Sequence, residues 1–395
     1  MTDFALPAHV EELRARTREF IDTVVIPAEP KPGEVLSAET RTMLQQEARK
    51  AGVFAPHVPV EYGGHGLPIR YWSPIFQEAG RSLAGPQALN CAAPDEGNMH
   101  LLNVVASPEQ KQRYLAPLAA GEVRSAFAMT EPHPGAGADP AALSTTAVRT
   151  SGGWIINGEK RFISGAEGAA FVICMARTDV DNEGSDGATM FIVDADNPGM
   201  RLERHIPTID RSIIGGHMHV TFRDCFVPDD AVLGEVGKGF RYAQVRLGPA
   251  RLTHCMRWLG LARRALDIAL ERATERRLFG SALADLGMAQ AMIADSVIDI
   301  ETSDALIAKN GWLLDTDERA GRHLASVTKV HVAEAVNRVI DRAMQLCGGD
   351  GVSDDFPLAA FFSEVRPFRI YDGPSEVHRW AIARRAARSV RRTAA

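Results

Sequence analysis

The sequence has 395 residues, of which 45% are hydrophobic and 24% are charged, and its formal net charge is −6. This composition is that of an ordinary globular protein with room for two or three domains. The mild acidity excludes a general attraction to nucleic acid or anionic lipid, and no run of about 18 apolar residues predicts a membrane span. The five cysteines are scattered and form no CxxC pair, so we expect free thiols. The first residues do not resemble a secretory signal, so we expect a cytoplasmic protein.

Helical signals dominate residues 1–124. Apolar side chains recur at spacings of three and four within residues 10–24, which predicts an amphipathic helix. Ser37 is suitably placed to cap a second helix. Residues 107–110 combine a capping serine, a first-turn proline and a capping-box glutamine, which predict a further helix start. We therefore expect an N-terminal helical domain.

The hydrophobic period changes to two over residues 125–236, which predicts a middle β-sheet domain. Asn157-Gly158 lies between two β-like runs, residues 154–156 and 161–164, so we predict a hairpin turn at this dipeptide. Further strands are predicted over residues 143–150, 171–175, 190–193 and 217–226.

Residues 237–395 return to a helical period and predict a C-terminal four-helix bundle. The predicted fold class is therefore mostly α with a central β domain. The four long helices, none with an internal proline, are expected over residues 251–277, 284–314, 318–346 and 376–392.

Common catalytic motifs are missing from this sequence: it contains no GxGxxG after a strand, no Walker loop, no HExxH and no GxSxG. His217 and His219 would share one face of a strand, but no third metal ligand lies nearby, so partly exposed strand histidines are the simpler interpretation. The reactivity of an enzyme with this sequence would therefore come from a bound cofactor.

Three segments contain more glycine and acidic residues than a purely structural role requires. Residues 127–139 form a strand and a glycine-rich loop, whose amides suit a pyrophosphate or ring carbonyl, or else a flexible turn. Residues 345–351 end a long helix with more glycines than a C-cap needs. Residues 370–379 precede the last helix, where Asp372 or Ser375 is either part of a catalytic site or a simple N-cap.

Taken together, these segments resemble the acyl-CoA dehydrogenase family over essentially the whole chain. The Thr-Glu-Pro flavin loop of that family resembles residues 129–132, and its Asn-Gly-x-Lys hairpin resembles residues 157–164. Its Glu-Arg-x-x-Phe-Gly segment is similar to residues 275–280, its Gln-x-x-Gly-Gly loop to residues 345–349, and its Tyr-Glu-Gly-Thr motif to residues 371–374. Each match alone is weak, but five matches in register are specific.

The resemblance implies an FAD-dependent dehydrogenase that converts an acyl-CoA thioester to the 2-enoyl-CoA, as in β-oxidation of fatty acids. Asp372 would remove the α-proton while a hydride leaves the β-carbon for flavin N5. The implied partners are electron-transfer flavoprotein or a similar acceptor and further copies of the chain, as a homodimer or homotetramer. The residues carried over as cofactor-binding are Phe127, Met129, Thr130, Ala138, Phe162, Ser164, Arg276, Phe279, Gln345, Gly348, Gly349, Pro374 and Glu376, and those carried over as substrate-binding are Arg251 and Gly373.

The sequence departs from the family pattern at several of these positions. Asp372 stands where the family usually has glutamate, and Ala250 occupies a second known location of the base, so no competing base is expected there. The flavin loop contains two extra residues, 133–134, while Ala138 and Pro374 replace a serine and a threonine.

The aspartate at the base position, with segments such as residues 95–99 and 246–251, resembles the branch whose eukaryotic members have a fused kinase-like domain, absent here. A flavin oxidase of the same fold, of the acyl-CoA or nitroalkane type, is the nearest alternative, because nitroalkane oxidase also uses an aspartate base. A non-catalytic or DNA-associated homologue is another. The arginine-rich tail, residues 384–392, would support it through phosphate contacts, although a solvated helix end or coenzyme A contacts are the simpler explanation of the arginines.

Overall fold

The computed structural model describes residues 5–31, 34–179, 187–210 and 215–393. The helices in these residues are α1 (Ala8–Phe20), α2 (Ala38–Lys50), α3 (Trp72–Gly80), α4 (Gly85–Ala88), α5 (Asp95–Val105), α6 (Pro108–Gln110), α7 (Ala116–Ala119), α8 (Gly239–Glu275), α9 (Gly287–Thr316), α10 (Glu318–Cys347), α11 (Leu358–Val365) and α12 (Ser375–Thr393). The strands are β1 (Ser125–Ala128), β2 (Thr146–Thr150), β3 (Gly153–Ser164), β4 (Phe171–Arg177), β5 (Ala188–Asp194), β6 (Met200–His205), β7 (His217–Pro228), β8 (Val232–Leu233), β9 (Arg277–Leu278) and β10 (Ser281–Ala282).

The chain divides into two compact units. The helical unit comprises Met1–His57, Leu67–Leu89 and Arg251–Ala395, and the sheet unit comprises Val58–Gly66 and Asn90–Ala250. The predicted class, mostly α with a central β domain, is confirmed by this content of helices and strands. The domain boundaries predicted after residues 124 and 236 stay a prediction.

The helix starts read from the sequence are present. The Ser37 hydroxyl accepts the Thr40 N–H at 3.1 Å and so caps α2. At α6 the Ser107 hydroxyl accepts the Gln110 N–H at 3.2 Å, while the Gln110 side chain accepts the Ser107 N–H at 3.1 Å. This reciprocal pair is the predicted capping box, which satisfies two backbone donors that a helix start otherwise leaves unpaired.

The sheet unit is built on eight strands in the order β6-β7-β3-β2-β4-β5-β8, with β1 paired in parallel to β4. Strands β4 and β5 are buried at every position except their last residues, so they form the centre of the unit's core. Large side chains fill this core, among them Trp154, Phe191 and Phe222. The parallel pairing brings the end of β1, where the flavin loop was predicted, into the middle of the sheet.

The hairpin predicted at Asn157-Gly158 is wrong. Strand β3 runs through both residues and pairs with β7 on either side of them, with a change of register between Ile156 and Gly158. Asn157 accepts the Asp224 N–H at 2.8 Å across this irregularity. A Cβ at Gly158 would lie 2.5 Å from the Thr145 hydroxyl oxygen, so glycine is required here by a close approach within the sheet.

The four predicted long helices are present as α8, α9, α10 and α12, of which the last three, and α8 from Arg251 onwards, belong to the helical unit. The first of them was expected to begin at Arg251 but begins at Gly239, so Pro249 lies inside it. A proline in a helix costs about 3 kcal/mol because it removes one backbone donor and crowds the preceding turn. Ala243 and Ala250 on either side of it are 0% and 3% exposed, so this stretch of the helix is buried on one face. In the part of the chain that the structure describes, no helix is both long and apolar enough to cross a membrane.

Candidate active site

The loop that follows β1 is anchored by the carboxylate of Glu131. Its Oε1 accepts hydrogen bonds from Lys160 Nζ and from the Thr145 N–H, both at 2.8 Å. Its Oε2 accepts the Ser144 N–H and hydroxyl, both at 2.7 Å, and the Ala136 N–H at 3.0 Å. These bonds tie the beginning of the loop to its end, so its conformation is fixed from within the sheet unit.

Glu131 and Lys160 form an ion pair in which both side chains are 0% exposed. Burial by itself raises the pKa of Glu131, but the Lys160 charge and the hydrogen bonds from Lys160, Thr145 and Ala136 lower that pKa to about 2. Lys160 also donates to the Met129 carbonyl at 3.2 Å. Glu131 is therefore ionised at neutral pH, and the pair fixes the backbone beside the predicted flavin-facing residues.

The predicted cofactor residues of the sheet unit lie on this loop and on β3. The Arg161 N–H donates to the Thr130 carbonyl at 2.8 Å, which brings the loop against β3 next to Phe162. Phe162 is 46% exposed with a φ of +59°, and Phe127 lies under the Arg246 guanidinium, 4.1 Å from its ring centre. Of this set, Phe127, Met129, Thr130 and Ser164 are half-buried, and Phe162 and Ala138 are exposed.

In the helical unit, the backbone at Asp372 is held by three side chains. The Asp372 carbonyl accepts Arg251 Nε at 3.0 Å and lies 3.1 Å from His378 Nε2, and the Gly373 carbonyl accepts Lys329 Nζ at 2.8 Å. Asp372 has a φ of +54° and Gly373 of +96°. A Cβ at Gly373 would lie 2.7 Å from His378 Nε2, so this position requires glycine for both its φ and its contact.

The Asp372 carboxylate makes few polar contacts with the side chains around it. Its Oδ2 is buried and accepts no hydrogen bond from the residues that the structure describes. His254 Nε2 lies 3.4 Å from Oδ2, near enough for a charge contact but without the alignment of a hydrogen bond. An N-cap would instead accept a backbone N–H of α12, so the position of Oδ2 does not favour the capping alternative.

An aromatic and histidine cluster packs beside this carboxylate. The His254 ring centre lies 4.9 Å from that of Tyr371 and 5.8 Å from that of Phe368. Trp258 Nε1 donates to the Tyr371 hydroxyl at 2.6 Å, and Arg257 Nη2 donates to His254 Nδ1 at 3.2 Å. Because a guanidinium only donates, Nδ1 must be the acceptor, so the proton of a neutral His254 sits on Nε2 and faces Asp372.

Burial changes the ionisation of the side chains that hold Asp372. It lowers the pKa of Lys329 to about 8, and it lowers the pKa of Arg251 against the opposing charge of Asp372. Burial and the positive charge of Arg251 lower the pKa of His378 to about 4, although its contact with the Asp372 carbonyl acts the other way. At neutral pH the segment is therefore held by two cations and a neutral imidazole.

The other predicted cofactor residues of the helical unit lie at element ends. Phe279, between β9 and β10, is 95% exposed with a φ of +51°. An ion pair between Arg272 and Asp350 joins the last turn of α8 to the glycine loop after α10. A Cβ built at Gly348 or Gly349 meets nothing within 4 Å, so the space above this backbone is open. Of the remaining predicted residues, Arg276, Gln345 and Glu376 are exposed and Pro374 is half-buried.

Sequence reasoning missed the side chains that support both segments. Lys160, His254, Lys329 and His378 were assigned no role. The spacing of Arg251 and His254 offered a signal, because residues three apart share a helix face. Lys160 and Lys329 gave none, because a lysine in a periodic strand or helix is normally expected in solvent.

Family models match three consecutive parts of the chain. They describe the acyl-CoA dehydrogenase N-terminal domain over residues 7–122, the middle domain over residues 126–225 and the C-terminal domain over residues 237–387. Helical, β and helical domains in this order define a class of flavoprotein oxidoreductases.

Individual proteins agree with these matches. Probable acyl-CoA dehydrogenase FadE2 of Mycobacterium tuberculosis is 36% identical, over 97% of this chain and 96% of its own length. Acyl-CoA dehydrogenase family member 11 of Gallus gallus is 36% identical over 95% of this chain, which spans only 50% of that relative. The structure of butyryl-CoA dehydrogenase from Megasphaera elsdenii has a TM-score of 0.88 and 25% identity, covering 98% of this chain and 100% of that one. The chain belongs to the acyl-CoA dehydrogenase family and is an oxidoreductase.

Proposed function

We propose that this enzyme uses FAD to oxidise an acyl-CoA thioester to the 2-enoyl-CoA, with Asp372 as the base that removes the α-proton. The observation that carries the proposal is the environment of the Asp372 carboxylate. Its side chain is 18% exposed, its Oδ2 accepts no hydrogen bond from the described residues, and its backbone is fixed by Arg251 and His378. A buried carboxylate oxygen that accepts no hydrogen bond, on a backbone held by other side chains, suits proton abstraction.

The residues present fit FAD. Gly348 and Gly349 leave open space above their backbone, which suits close approach by a phosphate or sugar. The loop around Met129 and Thr130 is fixed by Glu131, so it offers a preformed edge to a planar ring. When bound, FAD would supply the acceptor for the hydride of the β-carbon. We infer that the cofactor-binding set named from the sequence holds it.

The chain's own groups would then act on the α-carbon. A thioester α-proton is weakly acidic, so the carbonyl oxygen needs donors where enolate charge develops. The Asp372 N–H donates no backbone hydrogen bond within the described residues and is the donor we assign to this oxygen. Asp372 takes the proton, and Arg251 and Lys329 keep the segment in place through their bonds to two successive carbonyls.

We further infer an assembly of at least two copies, with electron-transfer flavoprotein or a similar protein as electron acceptor. Phe279 is 95% exposed on a two-stranded hairpin, and Arg276 beside it is also exposed. A phenylalanine this exposed suits contact with another molecule, and we assign this hairpin to the cofactor of a neighbouring copy. Sedimentation of flavin-loaded protein as a 42.9 kDa monomer would contradict this assignment.

The test of the proposed function is spectroscopic. Purified protein should show flavin absorption, release FAD on denaturation, and bleach anaerobically when one member of a panel of acyl-CoA thioesters of different chain length and branching is added. A colourless protein that cannot be reconstituted with FAD overturns the proposal. Oxygen consumption by the flavin-loaded protein without another acceptor would assign it to the oxidases instead.

A further inference from the structure

A chain of hydrogen bonds in the sheet unit ends at Ser164. The Ser164 Oγ lies 2.8 Å from His217 Nδ1, and His217 Nε2 lies 2.9 Å from Asp210 Oδ2. Ser164 and His217 are direct cross-strand partners on β3 and β7, so their side chains share one face of the sheet. Asp210 is 8% exposed, and the His217 side chain is 15% exposed. The three groups thus form one connected and largely buried relay, which we call the Ser164 relay.

The position of one proton in this relay follows from Asp210. Burial raises the pKa of Asp210, but its hydrogen bond and charge contact with His217 and its bond from Thr208 lower that pKa below the usual range. Asp210 is therefore an anion at neutral pH and can only accept. His217 Nε2, which faces it, must carry a proton whether the ring is neutral or cationic.

The other ring nitrogen then has two states with opposite consequences for Ser164. If His217 is cationic, Nδ1–H donates to the Ser164 oxygen, and the hydroxyl proton is free to point away from the ring. If His217 is neutral, Nδ1 accepts the hydroxyl proton, and Ser164 presents only lone pairs on its other side. The charge of His217 therefore decides whether Ser164 is a donor or an acceptor towards its neighbour.

We propose that the Ser164 relay positions the hydroxyl proton that faces the flavin, so that the protonation of His217 is coupled to the oxidation state of the bound cofactor. This inference rests on the proposed function, which puts Ser164 beside the flavin. We assign flavin N5 as the atom that Ser164 faces, because N5 is a hydrogen-bond acceptor in the oxidised ring, which matches the cationic relay, and a donor in the reduced ring, which matches the neutral relay. Ser164, His217 and Asp210 are positioning residues and take no part in bond breaking.

Other charged groups near His217 have their own partners. His219, two residues along β7, has its Nε2 3.1 Å from Glu159 Oε2. His205 on β6, beside Gly216, has its Nε2 3.2 Å from Glu167 Oε2, and Arg124 donates to the Glu167 carbonyl at 3.0 Å. No set of three metal-ligating side chains occurs in the described parts of the chain. Asp210 is thus the carboxylate that contacts His217 directly.

A Ser-His-Asp arrangement also occurs in hydrolases, but the setting of Ser164 favours positioning. A serine nucleophile usually sits on a sharp, strained turn, where backbone N–H groups form an oxyanion hole. Ser164 instead lies in the ladder between β3 and β7, paired directly with His217. Labelling of Ser164 by a fluorophosphonate would reveal a nucleophile and overturn the positioning role.

The test is the midpoint potential of the FAD-loaded enzyme measured across a range of pH. We expect the wild-type curve to show a change of slope that is lost in His217→Gln and in Ser164→Ala. Ser164→Thr keeps the hydroxyl and should keep the change of slope. His219→Gln is the matched control, because it removes another imidazole with a carboxylate partner from the same strand. A curve unchanged in His217→Gln overturns the proposal.

A second measurement needs no variant that alters folding. Nitrogen NMR of histidine-labelled holoenzyme should show the Nε2 of His217 protonated in both flavin states, and a change at Nδ1 when dithionite reduces the flavin. The same Nδ1 signal in both states at every pH overturns the coupling. If the wild-type protein binds no FAD, the proposed function and this inference are both overturned. If FAD is bound but no acyl-CoA bleaches it, only the proposed function is overturned, because the potential and the NMR spectra are measured without substrate.

Discussion

Glu131 in the sheet unit and Asp372 in the helical unit are carboxylates in contrasting surroundings. Glu131 accepts five hydrogen bonds, one of them from a lysine that is itself 0% exposed. Asp372 has the opposite arrangement: donors hold its backbone carbonyl, while its buried Oδ2 accepts no hydrogen bond from the described residues. In one region the side chain organises the backbone. In the other, the surrounding side chains hold the backbone, and the carboxylate has only a charge contact with His254, 3.4 Å from Oδ2.

The difference separates a structural carboxylate from a reactive one. A carboxylate with all its acceptor sites filled is a poor base, because proton uptake must displace stabilising donors. A carboxylate without donors keeps its affinity for a proton, provided that its position is fixed by other means. Glu131 belongs to the first kind, and we assign Asp372 to the second.

The largest expected effect is that of Asp372→Asn on catalysis. The amide keeps the size and polarity of the side chain but cannot take the α-proton. We expect the rate of flavin bleaching by an acyl-CoA to fall by about 10²–10⁴-fold or more, while FAD content and melting temperature remain near wild type. Asp355→Asn is the control, because Asp355 is an exposed aspartate of the same helical unit. Unchanged bleaching in Asp372→Asn, with a verified substrate, would remove Asp372 from the mechanism.

The next largest effect is a loss of stability, which we expect from Lys160→Met. Removal of one member of a fully buried ion pair leaves the other charge without its partner and costs about 3–5 kcal/mol. We expect a lower melting temperature and faster loss of FAD, because the loop around Met129 and Thr130 loses its anchor.

The double variant Glu131→Gln/Lys160→Met sharpens this expectation. It removes both charges, so it should recover part of the stability that Lys160→Met loses. A double variant less stable than Lys160→Met would mean that the hydrogen bonds from Ser144 and Thr145, rather than the ion pair, need the ionised Glu131.

Local signals predicted much of both regions. The caps at Ser37 and Ser107 depend on residues within one turn, and the structure has them as expected. The Asp372 segment was found because its motif is contiguous. The Asn157-Gly158 hairpin was wrong because the same dipeptide suits a turn or a bulge, and its pairing with the distant strand β7 decided between them.

The supports of the two carboxylates could not be predicted in this way. Lys160 reaches Glu131 across 29 residues, and Lys329 reaches Gly373 across 44. A buried lysine contradicts the usual solvent preference of its side chain and is explained only by a partner brought near by the fold. Contiguous motifs therefore suggest a candidate site, but they do not reveal the side chains that position it.

A smaller effect concerns acid stability, in which the two regions should differ. The pKa of His378 is lowered from 6.5 to about 4 in the folded protein, so the unfolded state binds more protons between these values. Stability should then fall as pH drops from about 6.5 towards 4. The pKa of Glu131 is lowered from 4.5 to about 2, so its contribution is lost only as pH falls from about 4.5 towards 2.

Variants can separate these two acid transitions. Denaturant unfolding in small pH steps should show that His378→Gln loses mainly the first transition. The Glu131→Gln/Lys160→Met variant should lose mainly the second. A single transition below pH 4 in the wild type would contradict the assigned state of His378.

The smallest effect is expected from Asp229→Asn, which tests whether burial, rather than ion pairing itself, makes the Glu131–Lys160 pair important. Asp229 pairs with Arg149 at 2.7 Å, as close as the buried pair, but the two side chains are 49% and 58% exposed. Water can replace the lost partner, and Arg149 keeps its position over the Trp154 ring, 5.1 Å from its centre. We therefore expect a change of about 0–1 kcal/mol, visible as a small shift in melting temperature that added salt reduces further. A loss of stability as large as that of Lys160→Met would show that a short ion pair in the sheet unit stabilises the fold whether or not water reaches it. The contrast between Glu131 and Asp372 would then need another physical cause.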